Sequence, residues 1–372
     1  MKLTIERSVL LRALAHAQSV VERRTTIPIL SNVLLSTEDG NLRLTATDLD
    51  LAIVEDAPAE IQEPGGTTVP AHTLYDIVRK LPDGAQVGLS YDAGEGRLKL
   101  SAGRSNFALA CLPREDFPAM TEDELPHRFE LAAGALKRLI EKTRFAISNE
   151  ETRYYLNGIY IHSQESNGAQ VMRAVATDGH RLARVEMPLP EGAAGMAGII
   201  VPRKAVLEVE KLLEEAGDTV EVALSETRIR FAFNSTIITS KLIDGTFPDY
   251  ERVIPAGNDK KLEVDGESFA KAVDRVSTIS SEKSRAVKLA LDQDRLVLSA
   301  SSPESGSATE EMSVSFTSGD LEIGFNSRYL LDITSQIEGE QAEFLLSDAA
   351  SPTIIRDVGD ESALYVLMPM RV

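Results

Sequence analysis

Apolar residues recur at helical spacing in six segments of the chain, and these segments form two sets of three. In the first set the spaced residues are Leu10 and Leu14, then Leu136 and Ile140, then Phe269 and Val273. In the second set they are Leu74, Ile77 and Leu81, then Val206, Val209 and Leu213, then Leu330, Ile333 and Ile337. Steps of three and four residues predict a helix with one buried face. The chain is therefore predicted to contain three repeats, each with two helices.

Between the helical segments, apolar and polar residues alternate, as in residues 220–224, 229–233, 312–316 and 364–368. Strict alternation is typical of antiparallel strands with one buried face. Turn signals such as Asp39-Gly40-Asn41 and Asp244-Gly245 separate these runs. A repeat of roughly 125 residues has the size of a domain and not of a solenoid unit. We predict an α+β fold of three tandem similar domains, each with two helices and antiparallel sheets, with limits at 1–125, 126–255 and 256–372.

Composition narrows the class of protein. Hydrophobic residues make up 43% of the chain, which is enough for real cores. No apolar run approaches the roughly 18 residues of a membrane span, and residues 1–5 follow a strand pattern and not that of a signal peptide. A single cysteine, Cys111, excludes an internal disulfide framework. We therefore expect a cytoplasmic protein with no membrane partner.

The formal net charge of −19 argues at first against a nucleic-acid partner, because phosphates attract positive surface. The helix positions that are predicted to point outward are more basic than the chain as a whole. Four such positions can be followed through the three repeats, and the equivalent residues are Arg12, Arg138 and Lys271; His16, Lys142 and Arg275; His72, Lys204 and Arg328; and Arg79, Lys211 and Ser335. Nine of these twelve residues are Lys or Arg, although acids outnumber bases 58 to 39 in the whole chain. A further column, Asp76, Glu208 and Asp332, is acidic and is also predicted to point outward. The helical surface is either an ordinary solvated face or a face for a long anionic partner such as duplex DNA.

Four short motifs are more specific than the charge pattern. They are residues 153–158 (RYYLNG), 177–182 (TDGHRL), 247–253 (FPDYERV) and 368–372 (MPMRV). Together with the threefold repeat, they resemble the bacterial sliding clamp family, the DNA polymerase III beta subunits, over all 372 residues. The resemblance implies a non-catalytic processivity factor that uses no cofactor or metal. It also implies that each chain forms half of a ring, a head-to-tail homodimer that encircles duplex DNA without sequence specificity.

The resemblance implies three groups of site residues. The DNA-binding candidates are Arg24, Arg12, Arg79, Arg138, Lys142, Lys204, Lys211, Lys271 and Arg275. The dimer-interface candidates are Arg97, Arg104, Phe107, Leu109, Ile279, Glu304, Glu310 and Glu311. The candidates for a peptide-binding pocket are Leu156, Thr177, Gly179, His180, Arg181, Leu182, Pro248, Arg252, Val253, Val366, Met368, Pro369, Met370 and Arg371. Glu150 lies beside an expected DNA-contacting loop, where a carboxylate does not favour a phosphate.

The implied partners of the pocket are the DNA polymerase III catalytic subunit, the clamp loader, and other DNA polymerases and repair proteins that carry short binding peptides. Its leucine, valine and proline residues suit an apolar recess, and its methionines can adapt to different ligands.

Two other classes of protein are compatible with the sequence. Asp178 and His180 could form an acid–base pair of an enzyme, with Cys111 or a serine as the nucleophile. The five histidines show no metal-ligand spacing, and Gly94-Glu95-Gly96 does not match a nucleotide-binding loop. The second alternative is a scaffold of three domains that binds peptides and encircles no DNA.

Overall fold

The computed structural model describes residues 1–119, 124–280 and 285–372. Within these ranges it has six α-helices, which are α1 (Arg7–Val20), α2 (Ala71–Lys80), α3 (Ala133–Arg144), α4 (Arg203–Leu213), α5 (Gly266–Ser277) and α6 (Ser327–Thr334). They coincide with the six segments of helical periodicity, two in each repeat. Three of the helices, α1, α5 and α6, are preceded by a capping residue, which is Glu6, Asp265 and Asn326, respectively. The side chain of each capping residue accepts hydrogen bonds from backbone N–H groups of the first helical turn that would otherwise be unpaired.

The strands of the first repeat, with the strand that opens the second, are β1 (Lys2–Glu6), β2 (Asn32–Glu38), β3 (Asn41–Thr47), β4 (Leu51–Pro58), β5 (Glu60–Glu63), β6 (Gly66–Pro70), β7 (Gln86–Asp92), β8 (Arg97–Ala102), β9 (Ser105–Ala110) and β10 (His127–Ala132). Those of the middle of the chain are β11 (Gly158–Ser166), β12 (Ala169–Thr177), β13 (Arg181–Pro188), β14 (Ile199–Pro202), β15 (Thr219–Leu224), β16 (Arg228–Phe233) and β17 (Thr236–Lys241). The last are β18 (Lys260–Asp265), β19 (Ala286–Asp292), β20 (Arg295–Ser302), β21 (Gly306–Ser313), β22 (Ser315–Phe316), β23 (Leu321–Asn326), β24 (Gln341–Leu346), β25 (Thr353–Asp357) and β26 (Ala363–Leu367).

Contacts group the chain into two compact units. The first unit contains Met1–Gly134, Pro190–Ala193 and Lys204–Leu242. Its larger sheet has the order β10-β15-β16-β17-β4-β3-β2-β6, and its smaller sheet has the order β5-β1-β7-β8-β9. Leu10 and Leu14 of α1 are fully buried, as the helical periodicity predicts.

The second unit contains Ala135–Leu189, Ala194–Arg203 and Ile243–Val372. Its larger sheet has the order β14-β11-β12-β13-β26-β25-β24-β18-β22, and its smaller sheet has the order β21-β20-β19-β23. Phe269 of α5 packs edge-on against Phe344 of β24, with ring centroids 5.2 Å apart, and both side chains are completely buried.

Each large sheet joins strands of two neighbouring repeats. In the first unit β4 pairs with β17, and in the second unit β13 pairs with β26. Consequently neither unit coincides with a single repeat, and the domain limits predicted above stay a prediction. In the described part of the chain, no helix is long and apolar enough to cross a membrane.

Two side chains lie in places that the helical periodicity did not predict. Lys142 was predicted to point outward, but its side chain is only 5% exposed, and its Nζ lies 2.7 Å from Glu338 and donates to the carbonyl of Gln336. Glu208 was also predicted to point outward, but it is buried and accepts from Ser19 Oγ at 2.6 Å and from Lys211 Nζ at 2.8 Å. Both predictions of exposure are wrong, because Gln336 and Glu338 lie beside Lys142 and because Ser19 of α1 lies beside Glu208.

Candidate functional site

The motifs at residues 153–158, 177–182, 247–253 and 368–372 meet in the second unit. Leu182 of β13 lies opposite Val366 of β26 in the sheet register. Both belong to a buried cluster with Leu156 and Tyr250. This cluster forms an apolar base beneath the chain segments that carry the remaining pocket candidates.

The turn between β12 and β13 is held by its own side chains. Thr177 Oγ1 donates to the carbonyl of Arg181 at 2.7 Å and accepts from Gly179 N at 3.1 Å. Asp178 Oδ1 accepts from the backbone N–H groups of His180 and Arg181 at 2.9 and 3.0 Å. Gly179 has a φ of +87°, a conformation that glycine adopts without strain. The turn therefore has one fixed shape.

The last strand is attached to this turn. Met368 N donates to the carbonyl of His180 at 2.9 Å, and Met370 N donates to the carbonyl of Gly324 at 2.8 Å. A Cβ at Gly324 would lie 2.3 Å from Val372 Cγ1, so the close approach of the chain end requires a glycine. The structure thus brings the TDGHRL turn and the MPMRV terminus side by side.

The rim of the pocket is open to solvent. Met368 is 37% exposed and Val253 is 45% exposed. The remaining rim candidates are the exposed Gly179, His180, Pro248, Arg252 and Arg371 and the half-buried Thr177, Pro369 and Met370. Arg252 pairs with Asp249 at 2.7 Å, but its side chain is 85% exposed. An apolar base with exposed apolar and cationic groups above it suits a short peptide segment.

Arg181 has a different environment from the other two arginines of the pocket. Its Nε donates to Asp178 Oδ2 at 3.1 Å, its Nη1 to Asp332 Oδ2 at 2.5 Å and its Nη2 to the carbonyl of Phe145 at 2.6 Å. The guanidinium carbon also lies 4.3 Å from the ring centroid of Tyr329. Because these partners hold the side chain in place, Arg181 supports the turn, and Arg252 and Arg371 are better placed to meet a ligand.

Sequence reasoning did not identify Tyr329 and Asp332 as parts of this region. Both belong to α6, and no motif in the sequence marked them; only the structure places α6 beside the turn. With Asp178, His180 and Arg181 they line a cavity of about 590 Å³. The ring of His180 stacks on that of Tyr329, with centroids 6.3 Å apart.

The enzyme alternative receives no geometric support at Asp178. Its carboxylate binds two backbone N–H groups and the guanidinium of Arg181, and so it serves the turn instead of an imidazole. His180 stacks on an aromatic ring. In the described ranges no group of three or more His, Cys, Asp or Glu side chains is arranged to hold a metal ion.

Most of the predicted DNA-binding side chains form ion pairs within the chain. The pairs are Arg12 with Glu55, Arg79 with Asp76, Arg138 with Asp360, Lys142 with Glu338, Lys204 with Asp48, Lys211 with Glu208, Lys271 with Glu267 and Arg275 with Glu310. Arg79, Lys211, Lys271 and Arg275 are more than half exposed in these pairs. Exposed ion pairs are weak, so Arg79, Lys271 and Arg275 can exchange a carboxylate for a phosphate. Lys211 is held more firmly, because its partner Glu208 is buried.

Two loop segments with predicted DNA contacts, those of Arg24 and Glu150, differ in their attraction for a phosphate. Arg24 is exposed in the segment that follows α1. Glu150 Oε2 accepts from Arg153 Nε at 2.7 Å, and this hydrogen bond lowers the pKa of Glu150. The carboxylate therefore stays charged and neutralises Arg153, which weakens the attraction of this loop for a phosphate.

A titratable cluster surrounds His16 of α1. Burial by itself lowers the pKa of His16, but the hydrogen bond with Glu55 at 2.7 Å and the negative charges of Glu55 and Glu215 together outweigh burial, and the pKa is raised. Glu215 lies 3.7 Å from the other ring nitrogen and acts in the same direction, whereas Arg12 opposes the shift.

Each unit has one small sheet with an exposed edge strand. In the first unit β9 is one of the two edge strands of this sheet, and Phe107 is 36% exposed although it lies opposite the buried Leu100. Of the other interface candidates near this edge, Arg97 and Arg104 are exposed and Leu109 is half-buried. In such a place a strand offers free backbone groups to another chain.

In the second unit β21 is one of the two edge strands of the small sheet and carries Glu310 and Glu311. They pair with Arg275 at 2.5 Å and Arg295 at 2.7 Å. Glu304 is exposed and Ile279 is half-buried. The acidic side chains are thus available at the surface, although two of them already have partners within the chain.

Comparison with known proteins places the whole chain in one family. Three family models match consecutive stretches: the DNA polymerase III beta subunit N-terminal domain at residues 1–121, the central domain at 130–249 and the C-terminal domain at 251–371.

Relatives and solved structures agree with these matches. The beta sliding clamp of Caulobacter vibrioides is 57% identical over 372 residues, and that of Escherichia coli is 39% identical over 373 residues, each with 100% of both chains covered. A crystal structure of the Caulobacter crescentus beta sliding clamp has a TM-score of 0.98 at 57% identity and covers 100% of this chain and 99% of its own. A Bartonella birtlesii sliding clamp bound to griselimycin has a TM-score of 0.97 at 52% identity and covers 100% of both chains. The chain belongs to the DNA polymerase III beta subunit family, the beta sliding clamps.

Proposed function

We propose that two copies of this chain form a closed ring around duplex DNA, which holds a replicative polymerase at the primer end. The observation that carries the proposal is the agreement with sliding clamps over the full length, at 57% identity and a TM-score of 0.98. The ring acts mechanically: tethering raises the effective concentration of polymerase at the primer end, so no catalytic group of this chain is required. We expect the protein to work in the cytoplasm without a cofactor.

The two exposed edge strands support a head-to-tail dimer. If β9 of one chain pairs with β21 of the next, both edges disappear, and a heterologous contact with suitable rotation closes a ring. Arg97 and Arg104 then face Glu304, Glu310 and Glu311 of the other copy. In this arrangement each chain supplies three domains, with the limits 1–125, 126–255 and 256–372, to a ring of six.

We assign DNA contact without sequence specificity to Arg24 and to the exposed cations of the helices. Phosphate contacts position a protein on DNA and carry no sequence information, and exchangeable ion pairs favour a mobile complex over a tight one. Lys142 is the weakest of the candidates, since its amine is buried against Glu338.

The pocket of the second unit is proposed to capture short peptides of the polymerase catalytic subunit, the clamp loader and other polymerases and repair proteins. Its buried base, its flexible methionines and its exposed arginines suit such ligands. Relatives from Bartonella birtlesii and Pseudomonas aeruginosa have been crystallised with griselimycin. We propose that griselimycin binds this chain in the same pocket.

Primer extension on a long single-stranded circle tests the proposed function. With a bacterial clamp loader, ATP and a replicative polymerase, and with excess competitor template added at the start, this chain should lengthen the products of a single binding event. Arg24→Glu should shorten them without affecting griselimycin binding. Products of equal length with and without the chain would overturn the tethering proposal and favour the alternative of a peptide-binding scaffold that encircles no DNA.

A further inference from the structure

The turn that shapes the peptide pocket has a counterpart in the first unit, between β3 and β4. Thr47 Oγ1 donates to the carbonyl of Leu51 at 2.9 Å and accepts from Leu49 N at 3.0 Å. Asp48 Oδ1 accepts from Asp50 N at 2.9 Å and from Leu51 N at 2.7 Å. These are the same four hydrogen bonds, between the same atoms, that hold residues 177–181.

The strand beside the turn is attached in the same way. Lys241 N donates to the carbonyl of Asp50 at 2.8 Å, as Met368 N does to the carbonyl of His180 at 2.9 Å. The register places Ala52 opposite Thr239, in the positions that Leu182 and Val366 occupy in the second unit. The local framework of the peptide pocket is therefore present twice in the chain.

A cavity of about 600 Å³ lies over this second framework. Ala52 and Thr239 are among the residues that line it, together with Leu49 and Ile237. Leu49 is 46% exposed and Ile237 is 38% exposed. The cavity thus exposes two apolar side chains to solvent within a preformed recess. A recess of this kind can bury part of a ligand, whereas a flat sheet face cannot.

Leu49 has an unusual backbone conformation. Its φ is +81°, close to the +87° of Gly179, the equivalent residue of the other turn. A leucine at positive φ is strained, and such strain persists where the surrounding structure fixes it, commonly at functional sites. Here the four hydrogen bonds of the turn hold the leucine, and the result is an exposed apolar side chain at the cavity.

The wall of the cavity is rich in arginine, although the chain as a whole is acidic. Four arginines, Arg43, Arg128, Arg228 and Arg230, line it, with one carboxylate, Asp50. Asp50 also pairs with Lys241, at 2.9 Å. Two of the arginines have carboxylate partners outside the lining, since Arg43 pairs with Glu38 and with Asp56 at 2.7 Å and Arg230 pairs with Glu221 at 3.6 Å. The wall of the cavity itself nevertheless carries four cationic side chains and one carboxylate, in a protein whose net charge is −19. Complementarity favours an acidic occupant.

We propose that this cavity is a second docking site, which binds an acidic, extended peptide segment of a partner protein through an apolar side chain that packs against Leu49 and Ile237. The proposal rests in part on the proposed peptide pocket of the second unit, whose framework it repeats. With this second site, each chain has two peptide sites that prefer different peptide sequences. One ring can then hold two partner segments per subunit.

Photo-crosslinking with a defined probe tests the proposal on the full-length protein. The probe is the acidic hexapeptide EDLLDL with a benzophenone group, and the matched control probe replaces each acidic residue by lysine. Mass spectrometry should locate crosslinks of the acidic probe within residues 47–54 or 236–241. Leu49→Gly should reduce this labelling about fivefold or more, the effect of removing one central apolar contact. Arg230→Gln should reduce it as well, and more strongly at low salt.

The variants separate binding from folding. Leu49→Gly places in this turn the residue that the equivalent turn already has, so it relieves strain and should leave the melting temperature equal or higher. Val358→Ala removes an exposed side chain that does not line the cavity and should leave labelling unchanged. Met368→Ala should reduce labelling of the second unit only.

Three outcomes would overturn the second site. The first is labelling confined to residues 177–182 and 366–371, which would leave the proposed function intact. The second is equal labelling by the lysine probe or no labelling by the acidic one. The third is displacement by a 12-nucleotide oligo-dT as effective as displacement by unlabelled peptide, which would identify a general polyanion surface.

Discussion

Truncation of Met368 to alanine should weaken griselimycin binding by an amount that follows from its exposure. Met368 is 37% exposed, whereas Leu182 and Val366 beneath it are buried. For a methionine this exposure is roughly 70 Å² of accessible surface, and full burial at about 25 cal/mol per Å² stabilises the complex by about 1.8 kcal/mol. Alanine keeps the backbone and Cβ, so the expected loss is about 1 to 1.5 kcal/mol, or about five- to thirteenfold in Kd.

Isothermal titration calorimetry of griselimycin into the wild type and the variant measures this change. The backbone bond from Met368 N to the carbonyl of His180 does not depend on the side chain, so the turn should keep its shape. Val358→Ala is the matched control, because Val358 is 49% exposed and belongs to none of the four pocket motifs. An unchanged Kd for Met368→Ala, with both variants folded, would refute the assignment of the pocket.

Three further predictions concern other parts of the chain. Lys142→Met should destabilise the protein by about 1 to 3 kcal/mol in urea unfolding, because it leaves the partly buried carbonyl of Gln336 without its donor; a change below about 0.5 kcal/mol would show that this carbonyl finds another donor. The raised pKa of His16 means that its pairing with Glu55 stabilises the fold fully below the unfolded pKa of about 6.5 and that this contribution is lost as the pH rises through the folded pKa. The melting temperature of His16→Gln should therefore fall below that of the wild type by more at about pH 5.5 than at about pH 8.5, and equal differences would contradict the pairing. Phe107→Asp places a charge on the exposed edge strand and should shift the protein from dimer to monomer in sedimentation velocity, while an unchanged dimer would exclude β9 from the subunit contact.

The helices could be predicted from the sequence because each buries one face of regular spacing. Leu10 and Leu14 in α1, and Phe269 and Val273 in α5, are buried as that spacing requires. The pairing of β4 with β17 could not be predicted, since periodicity indicates that a strand exists but does not indicate its neighbour.

The site was predictable to the extent that short motifs carry it. The TDGHRL sequence predicts a turn, because Thr177 and Asp178 make the local hydrogen bonds that their side chains favour in turns. The burial of Lys142 was not predictable, because its partner Glu338 lies about 200 residues away in the sequence. The roles of Tyr329 and Asp332 depend in the same way on a distant helix meeting the turn.

Whether the protein forms a ring closed around DNA is decided by the way in which it is held on DNA. The protein is loaded onto a nicked circular duplex with a bacterial clamp loader and ATP, washed in high salt, and the circle is then cut once. A closed ring should survive the wash, because salt screens phosphate contacts but does not open a topological link, and it should leave the DNA once the circle is cut. Loss in the salt wash, or retention after the cut, would show that the protein does not form a closed ring around DNA.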